Sequence, residues 1–156
     1  MPEIILPIVF CVALLILKIK HKTYQFALSA RIAMAAMLII TAIAHFVFTK
    51  GMSMMLPDFI PYKTELVYLT GIIEAMAAVG ILISKYQKLT GLLLIVFFVL
   101  VIPANIYATL KHVDMENATF EGDGPNYLWY RIPLQAFFIA WVYFSSIKPV
   151  EGKKKT

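Results

Sequence analysis

The sequence predicts an all-α membrane protein: a four-helix transmembrane bundle with one further transmembrane helix at its N-terminus. Three observations predict it. The 156 residues are 61% hydrophobic, against about 45–50% apolar in an ordinary soluble domain. The apolar residues fall in long runs rather than in the broken pattern of a soluble core. The Lys residues gather in the short segments between and after those runs, as in loops on the inner side of a membrane.

Five spans follow in order. The first covers roughly Glu3 to Ile19 and is short, since a helix needs about 20 residues to cross a hydrocarbon core of about 30 Å. Lys18, Lys20 and Lys22 follow it and no basic residue precedes it, the wrong charge order for a cleaved secretory signal. The second runs from Phe26 to Phe48, the third from Thr64 to Ser84, the fourth from Leu89 to Leu110 and the fifth from Tyr127 to Ile147. Residues 1–148 form one transmembrane domain and 149–156 a Lys-rich tail.

With five crossings, the Lys-rich segments 18–25, 85–88 and 148–156 share one side. The opposite side receives Asp58, Asp114, Glu116, Glu121 and Asp123. The positive-inside rule then places the N-terminus outside and the C-terminus in the cytoplasm. Segment 51–61 is apolar and broken by Pro57 and Pro61, which suits an interfacial segment or a lid; 113–126 is acidic and suits a solvated loop.

Composition also excludes functions. The net charge of +5 comes without a basic helix or an aromatic-basic platform, so no nucleic acid is expected as a partner. Cys11 is the only cysteine, which rules out a disulfide framework and a paired-thiol redox motif within the chain. No phosphate loop, dinucleotide fingerprint or Ser-His-Asp set is present. Met52, Met54 and Met55 near His45 fit an interfacial loop more simply than a soft copper site. The acids of 114–124 lack the spacing of a calcium loop, and no metal site is expected. Asn117-Ala118-Thr119 matches a glycosylation sequon, a short and easily accidental pattern.

Four spans each carry a polar group that lipid disfavours: His45, Glu74, Asn105 and Arg131. A charge near the bilayer centre costs about 2.5–3.5 kcal/mol on insertion scales, so such groups tend to face a bundle interior or a wet cavity. At the helix rise, Glu74 lies about 13 Å from Glu65, and the other three fall at overlapping depths. Gln135 lies one turn beyond Arg131 on the same face. Arg131 can reach inward toward Glu74 or outward to the headgroups. Pro103 removes a backbone donor and frees a carbonyl near Val99. Gly71 and Ala75 form a small-xxx-small pair suited to close helix packing. Arg31, near the other end of its span, suits contact with headgroups.

The order of these features resembles the DoxX family of small bacterial membrane proteins. The resemblance rests on Ala44-His45-Phe46, on Tyr68-Leu69-Thr70-Gly71-Ile72-Ile73-Glu74, on Pro103-Ala104-Asn105-Ile106-Tyr107, and on Leu128-Trp129-Tyr130-Arg131-Ile132-Pro133-Leu134-Gln135. Thr70 stands where the family pattern has Ser. The resemblance runs from about Ala30 to Ile147, with the first span as an addition to a four-helix core. It implies a bacterial cytoplasmic membrane and a role near redox chemistry. On that reading the chain is a redox-associated subunit that binds a quinone-like or lipid-like molecule. His45, Asn105 and Arg131 would donate hydrogen bonds to it, with Gln135 beside them. Glu74 would relay protons, and Tyr68, Tyr107 or Trp129 would pack against a ring. Electron transfer would need a redox protein partner, since the chain carries no metal or flavin motif. The alternative is a non-enzymatic assembly or scaffold subunit whose polar cluster is structural.

Overall fold

The computed structural model describes residues 4–148; the Lys-rich tail 149–156 lies outside them. Six α-helices make up most of the described chain: α1 Ile5–His21, α2 Phe26–Val47, α3 Thr49–Met54, α4 Lys63–Gly80, α5 Gln87–Leu110 and α6 Leu128–Val142. A 3-10 turn, Gly124–Tyr127, leads into α6, and a π turn, Tyr143–Ile147, follows it.

The helical class agrees with the sequence, but the expectation of about five membrane spans is corrected. Among the described residues two helices are long and apolar enough to cross a membrane, Phe26–Val47 and Gln87–Leu110. The reason is length and charge. At the helix rise the 17 residues of α1 reach about 26 Å and the 15 of α6 about 22 Å, both short of a hydrocarbon core of about 30 Å. The α4 helix has 18 residues, but Lys63, Glu65 and Glu74 lie within it. The orientation assigned from loop charges assumed five crossings and falls with them.

Helix boundaries follow local chemistry. Lys22 ends α1 in a left-handed conformation and returns its N–H to the Lys18 carbonyl at 2.8 Å, closing one of the carbonyls that a helix end leaves open. Pro57 and Pro61 keep the chain out of helix between α3 and α4. Pro103 and Pro133 are accommodated inside α5 and α6.

The hub is α2. The helices α1, α4 and α6, together with the π turn, pack on it, while α5 packs on α6 and the π turn. The core is accordingly centred on Ala33, Met34, Met37 and Leu38 of α2, joined by Leu6, Ala78, Leu94, Phe98 and Val142. Trp141 Nε1 donates to the Ala30 carbonyl at 3.0 Å and ties the end of α6 to α2. Phe10 of α1 meets the same indole edge-on at 5.2 Å between ring centroids.

Two glycines mark close approaches in this packing. A Cβ at Gly71 of α4 would lie 2.8 Å from the His45 Cβ of α2, and one at Gly91 of α5 would lie 2.9 Å from the Ser146 Cβ. Gly71→Ala is therefore expected to force α2 and α4 apart. It should destabilise the protein by about 1–3 kcal/mol, the usual cost of overpacking, read by thermal unfolding in detergent.

Candidate functional site

The seam between α2 and α4 holds the first polar group. His45 lies in the last turn of α2, and its Nδ1 is 2.8 Å from the Thr41 carbonyl one turn back. A carbonyl only accepts, so Nδ1 carries the proton in that bond. The same nitrogen is 3.6 Å from Glu74 Oε2 across the seam. Both side chains are nearly covered, His45 at 15% exposure and Glu74 at 9%. The Thr41 hydroxyl donates to the Leu38 carbonyl at 3.0 Å, and its oxygen faces the Glu74 carboxyl. Among the described residues Glu74 Oε2 is buried without a hydrogen-bond partner. Such an atom loses about 1–3 kcal/mol of solvation that nothing replaces. The missing Cβ of Gly71 allows this proximity: the glycine packs on His45 three residues before Glu74.

The second group lies between α5 and α6. Gln135 Nε2 donates to the Phe98 carbonyl at 2.7 Å, and Asn105 Nδ2 donates to Gln135 Oε1 at 3.4 Å. The carbonyl that Gln135 reaches is thus Phe98's, one residue before the carbonyl freed by Pro103. Thr109 returns its hydroxyl to the Asn105 carbonyl at 2.7 Å. Asn105 is buried, at 7% exposure.

A cavity of about 250 Å³ opens beside Asn105, with Arg131 and Tyr127 among its walls and Asp114, Glu116, Glu121 and Asp123 around it. The Arg131 guanidinium lies over the Tyr127 ring, 4.9 Å from its centroid, a cation–π contact that holds it without neutralising it. Among the described residues Arg131 enters no ion pair. It turns to this cavity, and Glu74 has His45 as its neighbour across the α2–α4 seam.

The acidic loop over the cavity is built, not merely solvated. The Asp114 carboxylate accepts the N–H groups of Glu116 at 2.9 Å and Asn117 at 3.1 Å, and the Asn117 side-chain amide at 2.8 Å. These bonds to the charged form hold its carboxyl below the ordinary carboxylate range. Asp114 also bridges Thr119 through the backbone. Gly124, at φ +67°, leaves room for the His112 ring. The other loop, expected as an interfacial segment or lid, begins as α3. Its Gly51 sits against the Met115 carbonyl, which occupies the place of a Cβ.

A third group lies at the surface. Asp58 pairs with Lys63 at 3.0 Å and accepts the Tyr107 hydroxyl at 3.1 Å, beside a cavity of about 310 Å³. The Lys63 and Tyr107 hydrogen bonds hold the Asp58 carboxyl below its ordinary range.

The residues singled out in the sequence therefore separate. His45 and Glu74 meet on one seam, Asn105 and Gln135 on another, with Arg131 at the mouth of the latter. Tyr107 turns to Asp58. Tyr68 stacks on Phe46 at 5.5 Å on an exposed face, and Trp129 is 83% exposed. Sequence reasoning did not find Thr41, Asp58 or the part played by Asp114. Thr41, one helical turn before His45, carries a usable signal; Asp58 joins Tyr107 across 49 residues and carries none.

The fold and site define a helical protein with two helices suited to crossing a membrane and a polar cavity at one end. The chain belongs to a domain family of unknown function, DUF8561, whose profile matches residues 34–146. The match takes in His45, Glu74, Asn105, Arg131 and Gln135 and leaves α1 outside. No curated protein and no solved structure matches the chain.

Two outcomes follow from the geometry. Gln135→Leu removes both bonds across the α5–α6 seam. It should cost about 0.6–1.7 kcal/mol, the span of polar helix–helix contacts in membranes, with part of that loss shared with Asn105→Leu in a double-mutant thermal unfolding cycle. Asp58, held low, keeps Tyr107 and Lys63 while ionised. The contact is complete above the ordinary carboxylate pKa and is lost as pH falls through the lower folded value. Hydrogen exchange across residues 55–62 should rise at acid pH in the wild type and be already raised at neutral pH in Asp58→Asn.

Proposed function

We propose that this is a membrane-embedded binding protein, crossing the bilayer through α2 and α5. The cavity beside Asn105 and Arg131 would receive the polar head of an amphiphile, quinone-like or lipid-like, in a bacterial cytoplasmic membrane. The membrane part is supported by uncovered apolar surface. Only 22% of the apolar window of α5 is buried within the protein. Leu89, Leu92, Leu93, Val96, Val99 and Leu100 lie along one exposed side of it. A soluble monomer rarely leaves so continuous an apolar patch to water.

The single observation that carries the ligand reading is Arg131. Its guanidinium lines a cavity large enough for a head group and rests on a ring rather than on an acid. A ligand bringing acceptor oxygens gives it charge-assisted hydrogen bonds, while an apolar tail has α5 and α6 to lie on. The ordered motifs that resemble the DoxX family support the same region. A redox role would follow if the head is a quinone, with the electron carrier supplied by a partner protein.

A second reading, a non-enzymatic assembly subunit, is favoured by Gln135. Its amide bonds join α5 to α6 with no need of a ligand.

Mass spectrometry of small molecules extracted with protein purified in mild detergent separates these readings. Under the binding reading, wild type carries an enriched quinone or phospholipid and Arg131→Gln loses most of it while keeping its fold. The identity of that molecule decides between redox subunit and lipid binder. Equal lipid profiles in both proteins, with Gln135→Leu lowering stability, would favour the assembly subunit.

A further inference from the structure

The cavity reading makes no use of the α2–α4 seam, where a carboxyl is buried with one oxygen unanswered. Glu74 Oε2 has no hydrogen-bond partner among the described residues, in a side chain of 9% exposure. The His45 Nδ1 stands 3.6 Å from Oε2, and its hydrogen is directed to the Thr41 carbonyl at 2.8 Å. An ionised carboxylate in this position would leave a charge buried beside a donor turned elsewhere, an arrangement that burial strongly disfavours. A carboxylic acid is compatible with it. The acid form leaves no buried charge there, and the Thr41 hydroxyl, which donates to the Leu38 carbonyl, is committed elsewhere.

The surroundings are otherwise uncharged. From α2, Arg31 is fourteen residues before His45, about 21 Å along the helix. Lys50 of α3 is exposed. On α4 itself, Lys63 is paired with Asp58 and Glu65 is exposed two turns and more away. Lys85 and Lys88 follow the far end of α4 and are exposed. His45 is the titratable neighbour that acts on Glu74. It lies within one turn of the end of α2 and is partly open, so the pair has a short path to water.

We propose that Glu74 and His45 form a binding site for one proton in the α2–α4 seam. Loaded, the proton sits on Glu74 Oε2 and His45 donates to the Thr41 carbonyl, as in the structure. On unloading, the Oε2–H bond breaks and the proton passes to water at the open edge of His45. The ring then turns its Nδ1–H from the Thr41 carbonyl to the new carboxylate, closing the 3.6 Å gap. The glycine contact at residue 71 ties this exchange to helix packing, because His45 moves against the α4 backbone.

The wild-type protein in lipid nanodiscs tests this without any substitution. A hydrophobic carbodiimide, which reacts with protonated carboxyls, is applied across a pH series and its adducts are mapped by peptide mass spectrometry. Glu74 is expected to be labelled in preference to Glu65, Glu116 and Glu121. Its labelling rate should fall about tenfold per pH unit above a single midpoint, as one titrating proton requires. In folded His45→Asn the midpoint should move, because the Nδ1–H that turns to the carboxylate on unloading is gone. Infrared difference spectra should show a protonated-carboxyl band that is lost in Glu74→Gln. Labelling of Glu74 no faster than of the exposed acids, a rate independent of pH, or an unmoved midpoint in His45→Asn would each overturn the proposal.

Discussion

The contact on which the rest of the structure depends is the bare backbone of Gly71 against the side chain of His45. Without a Cβ at that point, α4 settles into α2 closely enough to place Glu74 beside His45 and to stack Tyr68 on Phe46. The same approach covers the carboxyl. Burying a carboxyl is unfavourable, and it persists here because dispersion contacts along the seam and the core around Met34 and Leu38 would be lost if the helices separated. Polar chemistry and packing at this seam are one arrangement.

The α5–α6 seam solves a similar problem differently. There the polar groups answer one another, with Gln135 joining the Phe98 carbonyl to the Asn105 amide. Arg131, beside this seam, enters no ion pair among the described residues. The molecule thus separates a largely buried acid–imidazole pair from an open polar cavity shared by Arg131 and four acids. A ligand in one need not touch the other.

Much of the helical layout was legible in the sequence. The second and fourth apolar runs match α2 and α5 within about two residues, because strong continuous hydrophobicity marks a helix well. Hydropathy was less decisive for α1, α4 and α6. There a short length or three charges take the helix below what a bilayer crossing requires, and counting runs overstated the spans. For the site, the polar residues within apolar runs were legible and their azimuth was not. The depths assigned to Glu74 and Arg131 assumed that α4 and α6 cross the bilayer. Which way each faces around its helix axis depends on neighbours that a single sequence does not reveal. His45 and Glu74 meet because their helices pack through Gly71. Arg131 turns to Tyr127, four residues before it on the same stretch of chain. The pairing of Asp58 with Tyr107 and the seat of Gly51 on Met115 are long-range loop geometry, which leaves no local pattern.

That seat has a consequence for how the family can vary. The Met115 carbonyl occupies the volume that any side chain at residue 51 would need. Two segments more than sixty residues apart in the chain are therefore registered at a single point above the cavity. A residue inserted between 111 and 115 would carry that carbonyl off its seat, and one inserted between 48 and 51 would carry the seat away. Insertions and deletions in the two loops are thus expected to be inherited together, so that the roof over Asn105 and Arg131 changes as one piece.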